Sequence, residues 1–167
     1  MKHKYTVDIF SGDGLDEFIR GVDEYKRWIK QKADELTRRL AEYGRDDARV
    51  GFASAIYDGP RDSKVDIEPR GENCWAVVAS GNDVLFIEFG SGITYSGVQH
   101  PEPNGFGPGT YPIPPGKGHW DDTRGWYLPK DAGGGHTYGN PANMPMYYAV
   151  RYLEQDLQRI VQEVFAE

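Results

Sequence analysis

The sequence is poor in cysteine: among 167 residues there is one, Cys74. A single thiol excludes an internal disulfide and any zinc cluster built on cysteines. Placed beside Trp75 in a strand-like run, it reads as a small buried hydrophobe. There is no excess of positive charge. The 19 Lys and Arg stand against 26 Asp and Glu, for a net charge of −7. That balance argues against a protein that coats DNA or RNA through its phosphates, and no sequence-specific nucleic-acid binding is expected. No apolar run approaches the roughly 20 residues of a membrane-spanning helix. No leader-like stretch opens the sequence, so a soluble protein made in a reducing cytoplasm is expected. The common catalytic signatures are also missing. There is no HExxH, no GxSxG, no Walker A, and no GxGxxG following a strand. The Gly105-Phe106-Gly107-Pro108-Gly109 run precedes no helical pattern, so it lacks the helix N-terminus that a phosphate site wants.

What is present is strong helical periodicity at both ends. Leu15, Phe18, Val22, Tyr25, Ile29, Ala33, Leu36, Leu40 and Tyr43 recur in steps of three and four. They predict a long helix over about 14–43, with Asp13 as N-cap and Gly44 just past its end. The same period returns in Met146, Val150, Leu153, Leu157, Ile160 and Val164. It predicts a second helix over about 144–165, with Asn143 as N-cap and Pro145 in the first turn.

Short strand-like runs fall at 4–10, 48–57, 64–68, 74–80 and 84–89. Arg70-Gly71-Glu72-Asn73 is a hairpin-type turn between two of them. Together these features predict a single α+β domain spanning 1–167. It would be an antiparallel sheet of about five strands with the long N-terminal helix and the C-terminal helix packed on one face.

Residues 90–141 are of another kind. They hold 13 of the 21 glycines and 8 of the 11 prolines, with no hydrophobic period. A loop of that length inside a small domain is uncommon and usually functional. Its aromatics, among them Trp120, Trp126, Tyr127 and Tyr138, are costly to leave in water and mark a candidate partner interface. Read as stacking surfaces, Trp120, Trp126 and Tyr127 also fit a carbohydrate- or peptide-binding module.

His100, His119 and His136 lie in the same loop, near Glu102, Asp121 and Asp122. They would have to converge to serve a metal-assisted hydrolase. The spacing shows no shared helical face, and neither a metal nor another cofactor is expected. Glu88, between Ile87 and Phe89 and just before Gly90, is the one carboxylate set in an apolar run. It is read as outward-facing on a strand, or as bonding backbone in the turn that follows, rather than as a catalytic acid.

Two short runs, FIEFGSG at 86–92 and GNPANMPM at 139–146, carry a resemblance. The chain resembles the tail-completion proteins (head–tail joining, neck or minor capsid proteins) of long-tailed double-stranded DNA phages and prophages. That pattern has a long N-terminal helix, a meander, an aliphatic-Glu-aromatic-Gly turn, a variable loop and a Pro-Ala-x-Pro entry to a C-terminal helix. Glu88, Phe89 and Gly90 match the turn. Pro141, Ala142 and Pro145 match the entry, here with two residues between Ala142 and Pro145. Ser91 stands where Thr is usual, and Met146 where an aromatic is common. The resemblance implies a structural protein without catalytic residues. It would be made in the bacterial cytoplasm and built into the virion beside other head–tail connector and tail proteins. It implies a homo-oligomeric ring, six-membered by the resemblance, in the particle, and a monomer or weak oligomer in solution.

Overall fold

The computed structural model describes residues 12–91, 100–101, 124–128, 130 and 134–166. Three helices and two small sheets make up this part of the chain, an α+β arrangement. Helix α1 is Gly12–Ser54, followed by strands β1 (Lys64–Gly71) and β2 (Cys74–Ser80). A short helix α2 covers Val84–Phe89. Two-residue strands β3 (Trp126–Tyr127) and β4 (His136–Thr137) lie within the Gly/Pro-rich segment. Helix α3 is Pro145–Ala166.

The sheet is smaller than the sequence predicts. In place of one sheet of about five strands, the described residues form two antiparallel pairs, β1–β2 and β3–β4. The run at 4–10 lies outside the described residues. The run at 48–57 belongs largely to α1, which passes through the expected stop at Gly44 and ends at Ser54. The reason is the face it presents: Ala41, Gly44, Ala48, Phe52 and Ala55 are all buried, at helical spacing. Gly44 serves contact here, not termination. A Cβ on it would lie 2.9 Å from Leu153 Cδ1 and 3.4 Å from Val77 Cγ2. The run at 84–89 is helical too. A short stretch that is apolar but for Glu88 has no period to separate strand from helix, and here the backbone bonds of α2, Ile87 N–H to Asp83 O and Gly90 N–H to Phe86 O, decide it. Cys74, expected inside, is exposed at the start of β2.

Helices α1 and α3 run antiparallel. Gly51 meets Pro145, Gly44 meets Leu153, Tyr43 lies beneath the Arg159 guanidinium, and Trp28 meets Phe165 edge-on at 5.9 Å between centroids. The expected hairpin turn at Gly71-Glu72-Asn73 is present, with Gly71 and Asn73 at positive φ. Its register pairs Val65 with Ala79 and Ile67 with Val77. The core gathers Ala48 and Phe52 of α1, Ala55 just past its end, Val65 of β1, Ile87 of α2 and Ala149 of α3, with Val77, Ala79 and Met146 against them.

Polar ties fasten the hairpin to α1. Arg49 donates to Val65 O and to Asp66, and Trp75 Nε1 donates to Asp34. Arg61 takes up the last carbonyls of α1, donating to Phe52 O, Ala53 O and Ala55 O, groups that a helix end leaves without intrahelical partners. Asp62 accepts from the backbone N–H groups of Asn82 and Asp83 and from the Asn82 amide. Desolvation opposes its ionisation, but those hydrogen bonds outweigh it and hold the carboxyl below its usual range.

Two predictions follow from this packing. At Gly51 an added Cβ would lie 2.7 Å from Pro145 Cβ and 3.1 Å from its Cα, a rigid ring and a backbone atom that cannot swing aside. Ala gains about 1 kcal/mol of helix propensity over Gly, whereas overpacking costs about 1–3 kcal/mol. Gly51→Ala is expected to lower stability in urea unfolding. Gly44→Ala, whose one tight contact is the mobile end of Leu153 while Val77 stands at ordinary contact distance, is expected to be near neutral.

The second concerns acid. A carboxyl whose folded pKa is depressed contributes stability above its unfolded value, and that contribution is lost as pH falls through the folded one. Unfolding free energy should therefore decline as pH drops below about 4, and Asp62→Asn should flatten that decline. An unchanged acid limb in the variant would contradict it.

Candidate functional site

Helix α3 begins with Pro145, which has no N–H to satisfy. The next two donors, Met146 N–H and Tyr147 N–H, point at the Glu88 carboxylate. Met146 donates to Oε2 at 2.9 Å and Tyr147 to Oε1 at 3.0 Å. The fourth, Tyr148 N–H, donates to Met144 O. The whole first turn is thus accounted for, and its cap comes from another helix 58 residues away in sequence. A carboxylate also suits the positive end of the helix dipole.

Glu88 is 6% exposed. His100 Nε2 lies 3.1 Å from its Oε1, and the imidazole is buried between the rings of Phe89 and Tyr147, at 4.7 and 5.2 Å between centroids. Glu88 therefore neither faces outward from a strand nor bonds the turn that follows it. It bonds backbone, but that of the C-terminal helix.

The backbone reinforces the junction. Asn143 N–H donates to Ile87 O and Met144 N–H to Glu88 O, while Ser91 and Asn140 exchange backbone hydrogen bonds. The Asn140 amide reaches Phe86 O, and its side-chain oxygen takes the Ser91 hydroxyl. Asn143, expected as the N-cap, instead clamps the chain after α1: its amide donates to Ile56 O and its oxygen accepts from Ile56 N–H. Met144 takes the cap position at φ 57°. Gly90 sits at φ 75°, where a Cβ would fall 2.6 Å from Ala142 N, so this position requires glycine on two counts. The six residues Glu88, Phe89, Gly90, Pro141, Ala142 and Pro145 thus form one place in the fold.

Beside this junction lies an open cleft of about 510 Å³, walled by Val84, Leu85, His100, Tyr147, Val150 and Arg151. The Arg151 guanidinium lies over the Tyr147 ring at 5.1 Å and pairs with Glu154. A Glu–His pair in a cleft is general acid–base material. In this one the carboxylate is committed to two backbone donors and the imidazole Nε2 to the carboxylate, an arrangement that fixes structure.

The loop aromatics separate into two groups. Trp120 lies outside the described residues. Trp126 pairs with Thr137 and Tyr127 with His136. Tyr127 and Tyr138 are 79% and 52% exposed and flank the His136 ring edge-on, at 5.0 and 4.8 Å between centroids. They form a small outward array. Thr137, buried, donates to Asp58 at 3.4 Å and ties the array to the body. Of the three loop histidines, His100 joins Glu88, His136 joins the tyrosines, and His119 lies outside the described residues. Among the described residues, no three His, Cys, Asp or Glu side chains are placed to hold a metal ion. Among them, too, no helix is long and apolar enough to cross a membrane.

Comparison with protein-family models, curated proteins and solved structures finds no match for this chain.

The junction predicts an ordered set of losses. Glu88→Ala leaves two partly buried N–H groups without an acceptor and removes the cap, so about 2–4 kcal/mol of stability should be lost. Glu88→Gln keeps one acceptor and should lose about half as much. Gly90→Ala should cost about 2–4 kcal/mol through strain and collision. Chemical denaturation of the three variants checks the order; an unchanged Glu88→Ala protein would remove the cap from the argument.

Proposed function

We propose that this chain is a structural assembly protein of the head–tail joint of a long-tailed phage or prophage, acting by docking and ring formation and not by catalysis. The observation that carries the reading is the junction. The two runs on which the resemblance rests lie some fifty residues apart and pack as a single hydrogen-bonded unit, so they make up one architectural signature. In this reading the chain is incorporated into the virion as a homo-oligomeric ring of six and contacts connector and tail proteins. The exposed tyrosine array on β3–β4, with Trp126 behind it and Trp120 in the same segment, is the surface that meets them. Burial of such rings on docking, offset by the entropy of fixing side chains at the contact, gives weak association in dilute solution and stable association in the particle.

A second reading has one observation in its favour. Tyr127, His136 and Tyr138 present three ring faces and edges outward, a surface that also suits a peptide or a sugar.

The two readings part in a particle-forming host. Tyr127→Ala with Tyr138→Ala should leave the domain folded by circular dichroism, since both rings are largely in solvent. It should yield filled heads and free tails that fail to join, seen by electron microscopy. Normal tailed particles would overturn the docking role of the array. Particles that are normal even when the whole gene is deleted would overturn the head–tail reading itself.

A further inference from the structure

The hairpin β1–β2 is a two-stranded sheet, so each strand has one edge without a neighbouring strand among the described residues. The two edges are not alike. Pro69 has no N–H to give to Trp75, its partner in register, and Val65 O is taken by Arg49 from outside the hairpin. Both observations put the backbone groups of Val65, Ile67 and Pro69 on the outer side of β1. That side is guarded. Arg49 lies on it, and Lys64, Asp66, Glu68 and Arg70 set charge along the strand. By the same register, Trp75, Val77 and Ala79 turn their N–H and C=O groups away from β1, to the outer side of β2. Among the described residues, no hydrogen bond reaches these backbone groups from outside the hairpin. Strand β2, Cys74–Ser80, carries neither charge nor proline, the devices by which proteins keep an open edge from pairing.

Such an edge fits a strand with one apolar and one polar side. Val65, Val77 and Ala79 of the hairpin lie toward α1 and the core, and Asp66 and Glu68, at the alternate positions, are exposed. Residues 4–10 carry the matching pattern, with Tyr5, Val7 and Ile9 alternating with Thr6 and Asp8. This run lies outside the described residues and joins the body at Gly12. Reach decides whose edge it takes. The near end of β2 stands level with Asp34 of α1, which accepts from Trp75 Nε1, and its middle stands level with Gly44, beside Val77. Along the helix these levels are about 33 and about 48 Å from Gly12, at 1.5 Å per residue. Fully extended from Gly12, the chain brings residue 4 no further than about 29 Å. The arm falls short of the edge in its own chain, so the β2 within its reach is that of another copy.

We propose that residues 4–10 of one copy add to the free edge of β2 in a second copy as a third strand, with Tyr5, Val7 and Ile9 continuing the apolar face over α1. Main-chain hydrogen bonds to Trp75, Val77 and Ala79 supply the attachment, and the apolar–polar alternation sets the register. Each copy offers one arm and one edge, so the exchange closes on itself, as a reciprocal pair or head to tail as a ring. The contact stands apart from the tyrosine array and does not depend on the virion reading.

Sedimentation velocity and amide hydrogen exchange on the purified full chain, from about 1 to about 100 μM, test it. Association is expected to rise with concentration, and the amides of Trp75, Val77 and Ala79 are expected to gain protection with it. Thr6→Pro with Val7→Pro removes one N–H from each side of the arm. It should weaken association about tenfold or more and return the three amides to fast exchange, with the circular dichroism unchanged. Val7→Asp with Ile9→Asp, which charges the apolar side, should do the same. A full chain that stays monomeric throughout would overturn the exchange; protected edge amides in that monomer would assign the edge to a segment of the same chain. Association that survives both variants would overturn the role of the arm. Association lost in the variants with no change at the three amides would overturn β2 as the receiving edge.

Discussion

A helix whose first turn is partly buried must find acceptors for its leading N–H groups, and in this protein that need is met by one side chain. Glu88 supplies both oxygens to α3, and everything around it serves to hold it in place. Helix α2 must be a helix, not a strand, for Glu88 to point away from solvent while Ile87 and Glu88 offer their carbonyls to Asn143 and Met144. Gly90 must be glycine because the chain turns back against Ala142 with no room for a Cβ. Pro145 suits the first helical position because its missing N–H leaves one fewer donor to satisfy. His100 closes the arrangement from the loop side, its ring tilted against Phe89 and edge-on to Tyr147.

The α1–α3 seam depends on this junction. Once the start of α3 is fixed, its path along α1 is set by where backbone can approach backbone. Gly51 receives Pro145 and Gly44 receives Leu153, so glycine within α1, normally a cost in a helix, becomes the means of close packing. Further along, the seam is held by longer side chains, Arg159 over Tyr43 and Phe165 against Trp28. Contact thus changes from close backbone packing at one end to side-chain packing at the other. Beyond Trp28, α1 carries its apolar stripe past the end of its partner helix.

Electrostatics follow the same division. The surface of α1 and α3 is laced with pairs at helical spacing, such as Glu35 with Lys32 and Arg39, and Arg159 with Asp156 and Glu163. Exposed pairs of this kind add little stability each. They keep a highly charged surface locally neutral, so the excess acid stands out where no cation answers it. Asp47 is one such place. Its carboxyl is held above the usual range first by desolvation and then by the neighbouring Asp156 and Asp46.

The sequence by itself determined the two long helices, the hairpin at Gly71–Asn73 and the presence of a special Glu–aromatic–Gly turn. Each of these is written in local chemistry: a three-four period, a turn composition, a carboxylate in an apolar run. It could not decide where α1 ends, since Gly44 reads as a stop until Leu153 is seen against it. Nor could it decide whether Val84–Phe89 is strand or helix, because six residues, apolar but for Glu88, are too few to show a period. It misjudged Cys74, whose exposure depends on which end of β2 stays uncovered, and Asn143, whose side chain is claimed by Ile56 across the fold. Above all, only the tertiary structure decided what Glu88 is for. Its partners lie 58 and 59 residues away, and the demand that places it there, two partly buried N–H groups without acceptors, does not exist until α3 is docked.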